Sequence, residues 1–353
     1  MIFDDIIVSA VNKSLEMNIP FALYIFPGDK TPVFFANPSY PQSNSLGNRR
    51  FIIAPWLAPY SSARVIADEC DAAALMAMHI DNPLRAADVP DVATTDKAAY
   101  LEGVGSVVRR LGRDGGKTVI SSVIRLDYEV VDVVSAASGY FSIHPEAFCY
   151  LYFTPDTGLW LGASPEIIYS FDKRRGKFKT MAFAGTRPVE MRDRPWDVKN
   201  IDEQRIVADY IADRLAACNV KYVEKPVITV DYGNIQHLCT FFEGEADASM
   251  TETIVDSLNP TPALAGYPTA TAIDEIARVE SHGRDCYGGV VGVDDSGATR
   301  VYVNLRCARL SAGSAILYVG GGITAASVPE DEWTETRLKS KLLKSVIEKS
   351  AKQ

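Results

Sequence analysis

The most restrictive feature of this chain is a run of strand-like segments near its C-terminus, 290–293, 300–309 and 315–319, separated only by Asp294-Asp295-Ser296-Gly297 and Ala312-Gly313. Those separators are hairpin signals, so the segments pair as antiparallel neighbours. Gly320-Gly321-Gly322 follows the last of them, and three glycines let a backbone leave a strand and approach a ligand closely. A helix is predicted next. Ser327 with Glu330 forms a capping box, Pro329 sits in the first turn, and Leu338, Leu342 and Val346 recur at helical spacing. Glu335 falls on this apolar stripe or at its edge, with Glu332 and Lys339 flanking it at i−3 and i+4. An inward carboxylate needs a partner. Spacing alone leaves two readings open: an anion and metal site, or a salt-bridged helix face capped by a flexible turn.

Further upstream the pattern repeats in kind. Segment 117–126 reads as a strand with Lys117 at its mouth, 148–153 and 159–171 as a pair joined across Pro155-Asp156-Thr157-Gly158, and 178–184 as another strand. Gly162-Ala163-Ser164-Pro165-Glu166 interrupts the second of the pair, and either projects Glu166 or forms an edge bulge with a solvated carboxylate. Helices are predicted over 63–78, 97–111, 197–217 and 270–279, with polar loops at 37–48 and 81–96 and a Pro/Ala/Gly loop at 259–268. Glu203 lies beside the apolar stripe of the third helix, four residues before Val207. Arg306 sits within the 300–309 run, where a buried guanidinium wants a planar anionic partner. Segregated strand runs with helices between them point to an α+β layered fold of mainly antiparallel sheets.

Composition narrows the partners. The 353 residues carry 36 basic and 45 acidic side chains, a net charge of −9, and no polybasic segment, which argues against nucleic acid and anionic membranes. No apolar run is long enough to span a bilayer, and the start Met-Ile-Phe-Asp-Asp lacks the features of a secretory signal, so a cytoplasmic protein is expected. Six scattered cysteines without Cys-x-x-Cys spacing are expected to be free thiols.

Several stretches, taken in order, resemble the chorismate-utilising enzymes: isochorismate and salicylate synthases and the large subunits of anthranilate and aminodeoxychorismate synthases. They are Gly162-Ala163-Ser164-Pro165-Glu166, Ala184-Gly185-Thr186-Arg187, Asn259-Pro260-Thr261-Pro262-Ala263-Leu264-Ala265-Gly266, Tyr287-Gly288-Gly289, Leu305-Arg306-Cys307-Ala308, and Gly320-Gly321-Gly322-Ile323 with Glu332-Trp333-Thr334-Glu335-Thr336. The resemblance spans residues 115–345. It implies one domain over 1–353, with a weakly matching part at 1–100, in which two subdomains of mainly antiparallel sheets wrapped by helices enclose a central cleft.

The resemblance also implies roles. Glu203 and Glu335 would hold Mg²⁺, and Lys117 and Glu166 would act as base and acid. Thr186, His237, Ala263, Leu264, Tyr287, Arg306, Gly320, Gly322 and Lys339 would bind chorismate, with Arg306 and Tyr287 on the enolpyruvyl carboxylate and the glycine N–H groups on the ring carboxylate. Family members that add water at C2 carry lysine at the position of Lys117, whereas those that use ammonia carry glutamine; aminodeoxychorismate synthases carry a nucleophilic lysine where this chain has Ala184. Ala263-Leu264 resembles isochorismate synthases rather than the Thr-Ala of salicylate synthases. The expected activity is therefore Mg²⁺-dependent conversion of chorismate to isochorismate by a monomer that needs no glutaminase subunit, feeding menaquinone or siderophore formation. The alternatives are a salicylate synthase and a catalytically silent partner subunit.

Overall fold

A computed structural model of the chain describes residues 2–41, 49–80 and 92–352. Strands form two large sheets, and every pairing between strands among the described residues is antiparallel. The first has eight strands in the order Gly266–Tyr267, Lys117–Asp127, Ser314–Ile323, Cys307–Leu310, Gly158–Ser164, Phe148–Thr154, Phe21–Ile25, Val33–Ala36. The second runs Lys221–Glu224, Ile235–Glu245, Lys177–Pro188, Ile167–Asp172, Ala298–Val303, Val290–Asp295, Arg49–Ala54, Arg64–Ala67, with Ile228–Tyr232 also on Ile235–Glu245.

The layering follows from the two-residue period of a strand. In Phe148–Thr154, Phe148, Tyr150 and Tyr152 face one way and join Phe51, Val291, Val293 and Tyr302 of the other sheet. Cys149, Leu151 and Phe153 face the opposite way, onto Ala10, Val11, Val134, Ala137, Leu343 and Ile347 of three helices, Asp5–Glu16, Val133–Ser142 and Pro329–Lys349. The two sheets thus meet across an aromatic layer, in which Phe148 stacks on Tyr302 with centroids 4.5 Å apart. Truncating a ring buried on this scale costs about 3–5 kcal/mol, so these contacts hold the sheets together. On the far side of the second sheet, helices Val198–Ala217 and Thr251–Leu258 cover Tyr169, Phe178 and Ala182.

Several expectations need correction. The run 300–309 is not a single strand, and the interruption expected within 159–171 is a full break; in each case the halves lie in different sheets. The helix expected over 63–78 is a strand, Arg64–Ala67, followed by the short helix Ala72–Ala77. Pairing of Val65 and Ile66 with Arg49–Ala54 outweighs the helical propensity of the alanines. Helices Val133–Ser142 and Thr251–Leu258 were not foreseen.

At the C-terminal motif the strand continues through all three glycines to Ile323. The helix is capped at Val328 without a side-chain bond, and Ser327 Oγ instead accepts from the N–H of Thr324 at 3.1 Å. There is no capping box. Parts of the expected loops at 37–48 and 81–96, namely 42–48 and 81–91, lie outside the described residues. Among the described residues, no helix is long and apolar enough to cross a membrane. The six cysteines are free thiols.

Candidate active site

Two short links carry the chain from one sheet to the other, and they lie side by side. Residues 165–166 connect Gly158–Ser164 to Ile167–Asp172, and residues 304–306 connect Ala298–Val303 to Cys307–Leu310. The Val303 N–H donates to the Glu166 carbonyl at 3.0 Å, and the Ala163 N–H to the Arg306 carbonyl at 3.4 Å. Arg306 holds φ +49°, a left-handed conformation unusual outside glycine, and the Tyr140 hydroxyl donates to its carbonyl at 2.9 Å. A break in each strand thereby turns one acid and one guanidinium toward the same space.

That space is a cleft where the two sheets part, with about 640 Å³ unfilled by protein atoms. Lys117, Glu166, Thr186, Glu203, His237, Ala263, Leu264, Tyr287, Arg306, Gly320, Gly322 and Lys339 all line it. Glu335 sits next to the wall, beside Lys339 and Gly321. A larger groove, with about 1790 Å³ unfilled by protein atoms, runs along Lys177, Lys221 and Glu243, but none of its charged residues is buried and several pair with one another at the surface. The smaller cleft gathers the buried ionisable groups, and chemistry needs those.

Lys117 opens its strand fully buried, with Nζ 2.9 Å from Glu203 Oε1. Glu203 reaches it from helix Val198–Ala217, whose start is fixed to the opposite sheet. Asp197 caps the helix, and Asn200 Oδ1 accepts from the Thr186 N–H at 2.8 Å. Thr186 lies just past a bulge in which Gly185 adopts φ +75°. Gly322 makes room for the ion pair: a Cβ there would lie 2.3 Å from Glu203 Oε1 and 2.7 Å from Lys117 Cε.

Gly320 and Gly322 face the cleft as strand backbone, not as the turn before a helix. Their neighbours across the sheet, Ser121 and Val119, send their N–H groups elsewhere, to Glu280 at 2.6 Å and to the Ala265 carbonyl at 2.9 Å. Alternation along the strand therefore aims the Gly320 and Gly322 amides away from that neighbour, past the end of Cys307–Leu310, whose pairing stops at Tyr318. Lys339 Nζ donates to the Gly320 carbonyl on this open edge at 3.0 Å.

The electrostatics divide the site. Glu166 is buried, and burial pushes its carboxyl up to about 8 against the opposing pull of Lys117; Oε1 has no hydrogen-bond partner. His237 is held well below its usual range by burial, then by Arg306 and Lys339. It is neutral, with Nδ1–H donating to the Gly185 carbonyl at 2.8 Å, so Nε2 accepts from Arg306 at 3.3 Å. The histidine thus orients the guanidinium. Tyr287 stacks on Tyr318 with centroids 5.6 Å apart, its hydroxyl against Gly320.

At the rim two carboxylates, Glu335 and Glu332, lie close together. Burial pushes Glu335 up, but Lys339, 2.6 Å away, outweighs it and holds the acid below the usual range. Glu332 is raised by burial and by Glu335; one of its oxygens meets Lys199 at 2.6 Å, and the other has no partner. Sequence reasoning noted Glu332 only as a flanking acid and missed Lys199, which carries no signal beyond its place at a helix start. The buried face of Pro329–Lys349 runs through Glu332, Thr336, Ser340, Leu343 and Ile347, whereas Leu338, Leu342 and Val346 are half-buried. The expected apolar stripe marks the side of the packed face, not its centre.

Known proteins resemble this chain in sequence and in fold. Isochorismate synthase EntC of Escherichia coli (strain K12) is 33% identical over 204 residues, covering 54% of this chain and 52% of EntC. Isochorismate synthase DhbC of Bacillus subtilis (strain 168) is 35% identical over 193 residues, covering 51% of this chain and 48% of DhbC. The chain thus spans about half the length of these curated relatives. Among solved structures, MenF, the menaquinone-specific isochorismate synthase from Escherichia coli, superposes with a TM-score of 0.78 at 20% identity, covering 98% of this chain and 91% of MenF, a likeness of fold. The profile of a family described as chorismate binding enzyme matches residues 38–348, and the chain belongs to that family.

Proposed function

We propose that this chain is an isochorismate synthase. The observation that supports it best is the meeting, in one cleft, of a buried lysine with a carboxyl pushed up to about 8, which keeps a proton donor available near neutral pH. Lys117 would take a proton from water as the water oxygen bonds C2 of chorismate. The C1=C2 pair then moves to C1=C6, the C5=C6 pair to C4=C5, and the C4–O bond breaks. Glu166 gives its proton to the departing hydroxyl. One water enters and one leaves, so the reaction is a reversible isomerisation. Ala184 offers no amine to compete with water, and Lys117, in place of glutamine, matches relatives that use water.

Arg306 and Tyr287 would hold the enolpyruvyl carboxylate, with His237 and Thr186 behind the guanidinium. The ring carboxylate would lie toward the Gly320 and Gly322 amides and Lys339, with Ala263 and Leu264 against the ring. Glu203 and Glu335 are suited to a Mg²⁺ ion. The described residues hold no cluster of three or more closely grouped His, Cys, Asp or Glu, and an ion that keeps waters and substrate oxygens needs few protein carboxylates. The unpartnered oxygen of buried Glu332 beside Glu335 also marks a spot short of positive charge. Bound there, the ion would supply Lewis-acid stabilisation of the ring carboxylate. A cytoplasmic monomer working without a glutaminase, and a product feeding menaquinone or siderophore formation, belong to the same reading.

Incubation with chorismate and Mg²⁺, followed by chromatography, tests it. Isochorismate in equilibrium with chorismate is the expected outcome. Stoichiometric salicylate and pyruvate would move the assignment to salicylate synthase, and no turnover would leave a catalytically silent partner subunit.

A further inference from the structure

Behind the cleft lies a buried ion pair to which the mechanism gives no part. Arg284 and Glu280 are both almost wholly shielded from solvent. Arg284 Nε and Nη2 clamp the carboxylate at 2.9 and 2.6 Å, and Glu280 Oε1 also accepts the Ser121 N–H at 2.6 Å. The rest of the guanidinium is spent on backbone. Nη1 donates to the Leu264 carbonyl at 2.9 Å and Nη2 to the Val119 carbonyl at 2.8 Å. Its face lies 4.5 Å from the Trp56 ring, with the Tyr287 ring 5.8 Å away.

These partners join three walls of the cleft: the Ala263-Leu264 loop, the strand carrying Lys117, and Tyr287. Val119 already gives its N–H to the Ala265 carbonyl. The carbonyls of Val119 and Leu264 are both acceptors and cannot bond each other, so a donor must bridge them. A guanidinium, with several N–H groups in one plane, does this while keeping its carboxylate; an ammonium cannot match that geometry.

Resting on the reading of the cleft as a chorismate site, we propose that Arg284, held by Glu280, is a positioning residue that fixes the Ala263-Leu264 wall against the Lys117 strand and so keeps bound isochorismate from eliminating pyruvate. In that elimination the C2 hydrogen passes to the enolpyruvyl methylene carbon as the C3–O bond breaks. The ether oxygen leaves as the keto oxygen of pyruvate, and the ring becomes salicylate, with no outside oxidant.

The test compares wild type, Arg284→Lys and Glu280→Gln in full-length protein with chorismate and Mg²⁺, reading isochorismate and pyruvate in the same reaction. Taken from initial rates, the pyruvate-to-isochorismate ratio does not depend on how much enzyme is folded. Both variants should raise that ratio about tenfold or more while kcat/KM falls about a hundredfold, the scale of a small misplacement in an active site. Hydrogen exchange at the Leu264 and Ala265 amides should rise, with strand Lys177–Pro188 unchanged. A ratio equal to wild type in both variants would overturn the proposal even if activity fell. If wild type itself left chorismate unchanged, the functional reading would fail; unchanged exchange at 264–265 in the variants would separately refute the clamp.

Discussion

Glu166→Gln should make the protein a poorer enzyme and a more stable one, and the second effect should grow with pH. Burial raises the Glu166 carboxyl from 4.5 to about 8. Folding therefore favours the protonated acid. Its contribution to stability is fully present below the unfolded value of 4.5 and is lost as pH rises through the folded value of about 8. At 1.36 kcal/mol per pH unit, the accumulated cost is about 2 kcal/mol near pH 6 and reaches a ceiling of about 5 kcal/mol near pH 9. Glutamine cannot ionise, so it escapes the whole of that cost. The same substitution removes the proton donor for the leaving hydroxyl and should lower turnover by about a hundredfold or more.

Urea unfolding of both proteins, without substrate, at steps from pH 5 to pH 9 measures the difference directly. Any fixed offset from swapping an oxygen for an amide cancels in the slope. A stability difference that stays flat over this range would show that Glu166 is already ionised in the folded protein, and the acid role would have to be given up.

Lys117→Ala should cost about a hundredfold in turnover while chorismate still binds; it also strands Glu203, so urea unfolding should show a loss of about 3 kcal/mol, and activity near wild type would send the search for the base elsewhere. EDTA should abolish turnover with the far-ultraviolet circular dichroism unchanged, and Glu335→Gln should weaken Mg²⁺ binding in calorimetry; persistent activity in excess EDTA would remove Glu203 and Glu335 from any metal role. Gly322→Ala should lose most activity and about 1–3 kcal/mol of stability, because its Cβ lands on the Lys117–Glu203 pair; a fully active, equally stable variant would show that the strand can shift to accommodate it.

Much of the sheet architecture was legible because strands announce themselves locally, through β-branched and aromatic residues and through turns such as Pro155-Asp156-Thr157-Gly158. What the sequence hid was where a strand changes sheets. The segment 300–309 reads as continuous and 159–171 as one strand interrupted at Pro165, because apolar residues lie on both sides of Pro165 and Arg306 and nothing local says that the two sides face different partners. Those changes of sheet are also where Glu166 and Arg306 sit.

The helix that carries Glu335 shows the same limit in another form. Hydrophobic periodicity pointed to Leu338, Leu342 and Val346, yet the residues this helix buries up to Ser340 are Glu332, Thr336 and Ser340. Small and polar residues can be the packed ones here because the opposing surface is glycine backbone: a Cβ on Gly321 would lie 3.1 Å from Glu332 Oε2. That approach brings a buried acid, Lys199 and the Glu335–Lys339 pair against an open strand edge. An apolar stripe in the same place would pack as well and bind nothing. The departure from helical hydrophobic patterning is therefore itself a mark of the site, and it can be read from sequence only when the glycines and the polar helix face are considered together.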